Sequence, residues 1–142
     1  MATVNDLITG YDGRYAVEPV LIDGFAPLKR YIACATTNLD NGEYHKIMYV
    51  GANSYIKSHM ATVIVEGAAE TADLCFVAAT DTTAASPTTL INDHDLNTDD
   101  TCNAGTEMFT DVAGYICVLA NAALTVAAFH VAIEVMKAST AD

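Results

Sequence analysis

Three features of the 142-residue sequence predict an all-β fold, an antiparallel β-sandwich behind an extended N-terminal arm. The first is the stretch Tyr44 to Glu66. Ile47, Tyr49, Ile56, Val63 and Val65 are β-branched or aromatic and fall mostly on alternate positions, which in an extended chain share one face of a sheet. Gly51-Ala52-Asn53-Ser54 between them is turn chemistry, because Gly and Asn tolerate positive φ. The two flanking strands are read as the central pair of the domain. The second feature is Ala127 to Lys137, where Phe129, Val131, Ile133 and Val135 point one way and Ala128, His130, Ala132 and Glu134 the other. The third is spacing: seven or eight short apolar stretches separated by turn signals, about ten residues apart, suit two packed sheets. A jelly roll is one such arrangement.

Residues 1–25 read as an extended arm and edge segment, and 26–142 as the sandwich domain. Arg14 to Asp23 has strand character, but Pro19 removes a ladder donor and confines it to an edge. Gly24 to Pro27 reads as a turn and Leu28 to Thr37 as a strand. Asn41-Gly42 is a strong turn signal ahead of the strands Tyr44–Val50 and Ile56–Glu66. After a turn at Gly67 to Thr71, Ala72 to Ala79 is a strand. Thr80 to Thr89 reads as a loop, Leu90-Ile91 as a brief strand, and Asn92 to Gly105 as a long polar surface loop. Gly114 to Ala120 and Ala127 to Lys137 close the domain, with a turn at Asn121-Ala122-Ala123. Two alternatives stay open here. Tyr115 to Ile133 is apolar and long enough for a transmembrane helix, and the alanines of Ala122 to Lys137 would suit a soluble one. The β-branched residues, Asn121 at a turn position and the alternation after Ala127 favour strands and no membrane partner.

The chain is 52% hydrophobic, which excludes general disorder. Eighteen acidic residues against six basic give a net charge of −12, which excludes nucleic acid as a partner because phosphate binding needs clustered Lys and Arg. The charge is uneven. Five of the six bases lie at or before Lys57, and twelve of the eighteen acids lie after it. One reading is solubility. A sharper one is polarity, with a near-neutral N-terminal part that docks and an acidic second half that faces water. Cys34, Cys75 and Cys117 sit in apolar runs and are expected as buried, reduced thiols. Cys102 lies in the polar stretch. The start MATVNDLITG has neither a basic nor an apolar signal segment, so folding in a cytoplasm without disulfides is expected.

No motif calls for a cofactor, and none marks an enzyme. There is no G-x-S-x-G, no glycine-rich phosphate loop and no C-x-x-C. The best site candidate is Asp93, Asp95, Asn97 and Asp99, whose D-x-D-x-N opening gathers the hard oxygen ligands that Ca²⁺ takes. Thr98 then stands where that loop needs Gly, and Ala104 where it needs Glu. A solvated acidic loop is therefore expected, with a cation site shared between subunits as the alternative. His45 and His59 approach each other if the central strands pair in a suitable register. Seven Tyr and four Phe suit core and interface packing, or a sugar-binding face.

From Ile47 to Lys137 the chain resembles the small β-sandwich decoration (cement) proteins of tailed-phage capsids. The likeness rests on the strand and turn at VGANSYI, the strand pair ATVIVEGAAETADLCFVAA, the excursion LINDHDLNTDDTCNAGT and the closing pair GYICVLANAALTVAAFHVAIEVM. The resemblance implies a jelly-roll-like fold, a homotrimer at three-fold positions, the major capsid protein as partner, and no enzymatic role. It also implies synthesis in the host cytoplasm, residence on the virion surface, and an N-terminal arm reaching to neighbours. A carbohydrate- or receptor-binding module of a virion fibre or tail is the alternative.

Overall fold

A computed structural model describes residues 4–5, 26–35, 39–65, 70–97, 102–123 and 128–137. Ten strands follow in order: β1 (Val4–Asn5), β2 (Ala26–Ala35), β3 (Tyr44–Val50), β4 (Ser54–Val65), β5 (Thr71–Ala78), β6 (Thr88–Asp95), β7 (Cys102–Ala104), β8 (Met108–Thr110), β9 (Gly114–Ala120) and β10 (Ala128–Lys137). One sheet has the order β1-β3-β9-β5-β6, and the other β2-β10-β4-β7, with β8 also pairing β4. Every pairing is antiparallel except β1 with β3.

This order defines the topology. With β1 set aside and β7 and β8 taken as one broken strand, the eight strands from β2 alternate between sheets as a jelly roll does: first, eighth, third and sixth in one sheet, second, seventh, fourth and fifth in the other. The core is the space between the sheets. Ile47, Met48, Leu74, Ile116 and Val118 fill it from one side, and Ile56, Met60, Phe129, Val131 and Ile133 from the other. The alternation read in β10 is observed: Phe129, Val131, Ile133 and Val135 are buried, while His130, Ala132 and Glu134 are half-buried. Tyr115 to Ile133 is divided between β9 and β10, which lie in different sheets. Among the described residues no helix is long and apolar enough to cross a membrane.

Five expectations change. β3 and β4 are adjacent in sequence but belong to opposite sheets, so they are not a central pair. Gly51 to Asn53 is the corner where the chain crosses between sheets, with Asn53 at φ 58 and the Ser54 hydroxyl donating to the Gly51 carbonyl at 2.7 Å. His45 and His59 consequently stand in different sheets. Tyr49 does not share the face of Ile47, because a register shift between Lys46 and Met48 inserts an extra residue and turns Met48 and Val50 inward instead. Pro27 lies within β2, opposite Met136, where an edge strand tolerates the missing donor. Asn92 to Asp95 belongs to β6, so the polar loop begins later than expected.

The expected arm, apart from Val4–Asn5, and the strand at Arg14 to Asp23 lie outside the described residues. So do Asp99 and most of the turn at Gly67 to Thr71.

Candidate interaction surface

The two ends of the sandwich differ in chemistry. At the corner end, register aligns Val50 with Gly114 and Gly114 with Ala78. Ser54, Thr110 and Lys137 occupy the matching level of the other sheet. The exposed large apolar residues among those described gather here: Tyr49 (56% exposed), Phe109 (56%) and Val112 (48%). Val112 occupies the tip of the β8–β9 turn. Thr110 fixes that turn, its hydroxyl donating to the Val112 carbonyl at 2.7 Å. Tyr49 and Tyr115 are register partners on the outer face, edge to face at 5.5 Å between ring centres. The Lys46 ammonium sits 4.3 Å from the centre of the Tyr115 ring. Phe109 and its register partner Tyr55 flank the tip on the other sheet. The Tyr55 hydroxyl donates to the Glu107 carboxylate, which also pairs with Lys57 at 3.5 Å.

A notch of about 50 Å³ opens beside Tyr115, lined by Lys46, Ala78, Ala79, Asp81 and Thr82. The loop that forms it is tied down. Asp81 accepts from the amides of Ala85 and Ser86, both at 2.9 Å, and these bonds hold its carboxyl below the usual range.

The opposite end carries Asp40, Glu43, Glu70, Asp73, Asp93 and Asp95, with no described Lys or Arg among them. Register places Lys29, Arg30, Lys57 and Lys137 toward the corner end. Charge is therefore polarised along the strand axis. Asp40 and Glu43 from the first half of the chain join four acids of the second, so the division does not follow chain halves as the sequence suggested.

Three of the four expected cation ligands, Asp93, Asp95 and Asn97, are among the described residues. The Asp93 amide, at φ 49, donates to Asp73 Oδ1 at 2.7 Å. Asn121 Nδ2 donates to Asp73 Oδ1 at 2.6 Å and to Asp93 Oδ1 at 3.1 Å. Asp95 Oδ1 instead accepts from the Asn97 amide at 2.7 Å. Among the described residues no group of three or more His, Cys, Asp or Glu is placed to hold a metal.

Sequence reasoning missed Phe109 and Val112. The signal was a short apolar pair, Met108-Phe109, amid polar residues: Met108 packs on the core and so turns Phe109 out.

No family model matches the sequence, and no curated protein matches it. Solved structures do. A chain in the structure titled "Capsid of Ralstonia phage GP4" superposes with a TM-score of 0.62 at 9% identity, over 98% of this chain and 99% of that chain. A chain in "Acidic stable capsid structure of Helicobacter pylori bacteriophage KHP30" gives a TM-score of 0.48 at 12% identity, over 79% of this chain and 91% of that chain. The first shows a shared fold; the second is too distant to add to it.

Proposed function

We propose that this chain is a virion structural protein, a capsid decoration protein that binds the assembled phage head and stabilises it across subunit junctions. The observation that carries the reading is the superposition over nearly all of both chains with a chain of a phage capsid structure. The partner is the major capsid protein in its assembled form, and the protein acts as a homotrimer on the virion surface. The near-neutral corner end, with Tyr49, Phe109 and Val112, docks, and the carboxylate end faces outward.

The mechanism needs no chemistry on a substrate. A ligand that binds only the assembled shell stabilises it by mass action, about 2.7 kcal/mol per site at a hundredfold excess over Kd. Outward carboxylates keep decorated particles apart by like-charge repulsion. The test is to add purified protein to heads that lack it and record their heat-induced disruption. The reading requires the disruption temperature to rise and then plateau once sites are filled. An unchanged temperature at saturating protein contradicts it.

One observation favours a second reading, a saccharide-binding module. Tyr49 offers an exposed ring beside a notch that presents an ammonium, a carboxylate and a hydroxyl. Sugar C–H faces stack on such rings while their hydroxyls take polar partners. Glycan-array binding that Tyr49→Ala abolishes supports this reading; a blank array removes it.

A further inference from the structure

We propose that Cys75 and Cys117 form a binding site for a soft, two-coordinate monovalent cation of the cuprous kind on the outer face of the first sheet. Register sets Lys46, Cys117, Cys75 and Thr89 in one row across β3, β9, β5 and β6. Directly opposed residues share a face. Leu74, Phe76, Ile116 and Val118 flank the two cysteines in sequence and point into the core, so the thiols face outward. Both are nevertheless buried, and both are free thiols. The pairing of β5 with β9 runs through this point without a register shift.

The phase of the ladder sets the spacing of the two sulfurs. The Ala79 amide donates to the Ala113 carbonyl at 2.9 Å, and the Asn121 amide donates to the Thr71 carbonyl at 3.1 Å. Each of these pairs lies an even number of residues from Cys75 and Cys117 along both strands. Hydrogen-bonded pairs recur at every second residue, so Cys75 and Cys117 are such a pair, with Cα atoms about 5.5 Å apart. Their Cβ atoms then stand near the wide end of the cross-strand range, about 5.5 Å, whereas a disulfide needs about 3.5–4.5 Å. Metal–thiolate bonds of about 2.3 Å, the length zinc shows, hold two sulfurs about 4.6 Å apart across a linear ion, against about 2.05 Å in a disulfide. The pair is too wide for a disulfide and suited to an ion between the sulfurs.

Thiolate sulfur selects soft cations. Among the described residues no third His, Cys, Asp or Glu joins the pair, which suits a linear ion and not zinc, whose structural sites take four ligands. Binding forms two sulfur–metal bonds and releases two protons to solvent, with no electron transferred. The complex carries one negative charge, two thiolates against one cation. The Lys46 ammonium, next in the row to Cys117, supplies the balancing charge, and the Thr89 hydroxyl hydrogen-bonds the Cys75 sulfur. Burial is the main opposing effect: it favours the neutral thiols, Asp73 adds to it at Cys75, and Lys46 eases it at Cys117. Coordination to a metal removes a thiol proton outright. Thr89 is exposed on the edge strand β6, so the ion enters from that side.

Silver(I), which is redox-inert and takes the same linear geometry, is the probe. Native mass spectrometry of the full chain with one equivalent of silver should show one ion bound and two protons lost, in wild type and in Cys102→Ser alike. Cys117→Ala should bind silver at least tenfold more weakly. A folded wild-type chain that retains no ion, or a Cys117→Ala chain that retains it as tightly as wild type, overturns the proposal. X-ray absorption at the silver edge in Cys102→Ser gives an answer that does not need Cys117→Ala to fold. Cys34 lies in β2, in the other sheet, so two sulfur neighbours identify Cys75 and Cys117. A single sulfur, or a shell of nitrogen or oxygen, overturns the proposal.

Discussion

Gly114 opens β9 in the middle of a sheet, in register with Val50 on one side and Ala78 on the other. A Cβ built there lies 2.4 Å from the Val77 carbonyl oxygen and 2.5 and 2.7 Å from two ring carbons of Phe76. The first distance falls about 1.0 Å short of the 3.4 Å at which ordinary contact begins. Phe76 is buried in the core, so its ring cannot swing clear without opening a void. The carbonyl belongs to the backbone of β5, so relief there means moving a strand. Overpacking usually costs about 1–3 kcal/mol, and a backbone clash puts Gly114→Ala at about 3 kcal/mol. For a domain of this size that corresponds to a fall of about 10 °C in Tm.

The assay is equilibrium urea unfolding, with Gly42→Ala as the contrast. A Cβ at Gly42 meets nothing within 4 Å, but its φ of +80 is left-handed, so that variant should lose only about 1 kcal/mol of backbone strain. Adding Phe76→Leu to Gly114→Ala should recover little, because the carbonyl contact remains. A Gly114→Ala protein within about 0.5 kcal/mol of wild type refutes the packing argument.

Three further outcomes follow from the same structure. Burial pushes the Cys75 and Cys117 thiols, register partners on β5 and β9, up to about 12. A thiol reagent at pH 8 should therefore label exposed Cys102 rapidly and those two only on unfolding, as peptide mass spectrometry would show; rapid labelling of Cys75 contradicts their burial. Burial also holds His45 below its ordinary value of 6.5, against the pull of Glu43 and Asp40. The unfolded chain then takes up a proton first, so His45 contributes a loss of stability as pH falls below about 6.5. Urea midpoints at pH 7.5 and 5.0 should lie closer together in His45→Gln, and an unchanged gap counts against the assignment. Finally, combined Tyr49→Ser, Phe109→Ser and Val112→Ser should leave the fold intact, because these side chains are largely exposed, yet weaken head binding at least tenfold, about 1.4 kcal/mol. Undiminished binding by a folded variant places docking elsewhere.

The fold class was legible because alternation survives in the strands that line the core. β3 and β9 lie where the sequence places them, and β10 within one residue. Alternation says which face a residue occupies but not which strand lies alongside, so β3 and β4 looked like partners when the chain crosses between sheets at Gly51 to Asn53. A one-residue bulge in β3 is equally silent in sequence, and it decides whether Tyr49 is core or surface. β6 was hidden for a different reason. As an edge strand it leaves Asn92 and Asp93 exposed, while its inward residue at that level is a histidine rather than an aliphatic. The charge totals were plain, but their placement at one end depends on register, which brings Asp40 and Glu43 beside residues thirty and more positions away.

Selectivity for the assembled shell is the central claim, and co-sedimentation measures it most directly. Purified protein is mixed in parallel with heads that lack it and with unassembled capsid subunits, and the bound fraction is titrated in each. Saturable binding to heads at a fixed ratio to capsid subunits, with none to free subunits, is the predicted result. Absence of binding to heads, or equal binding to free subunits, contradicts the account.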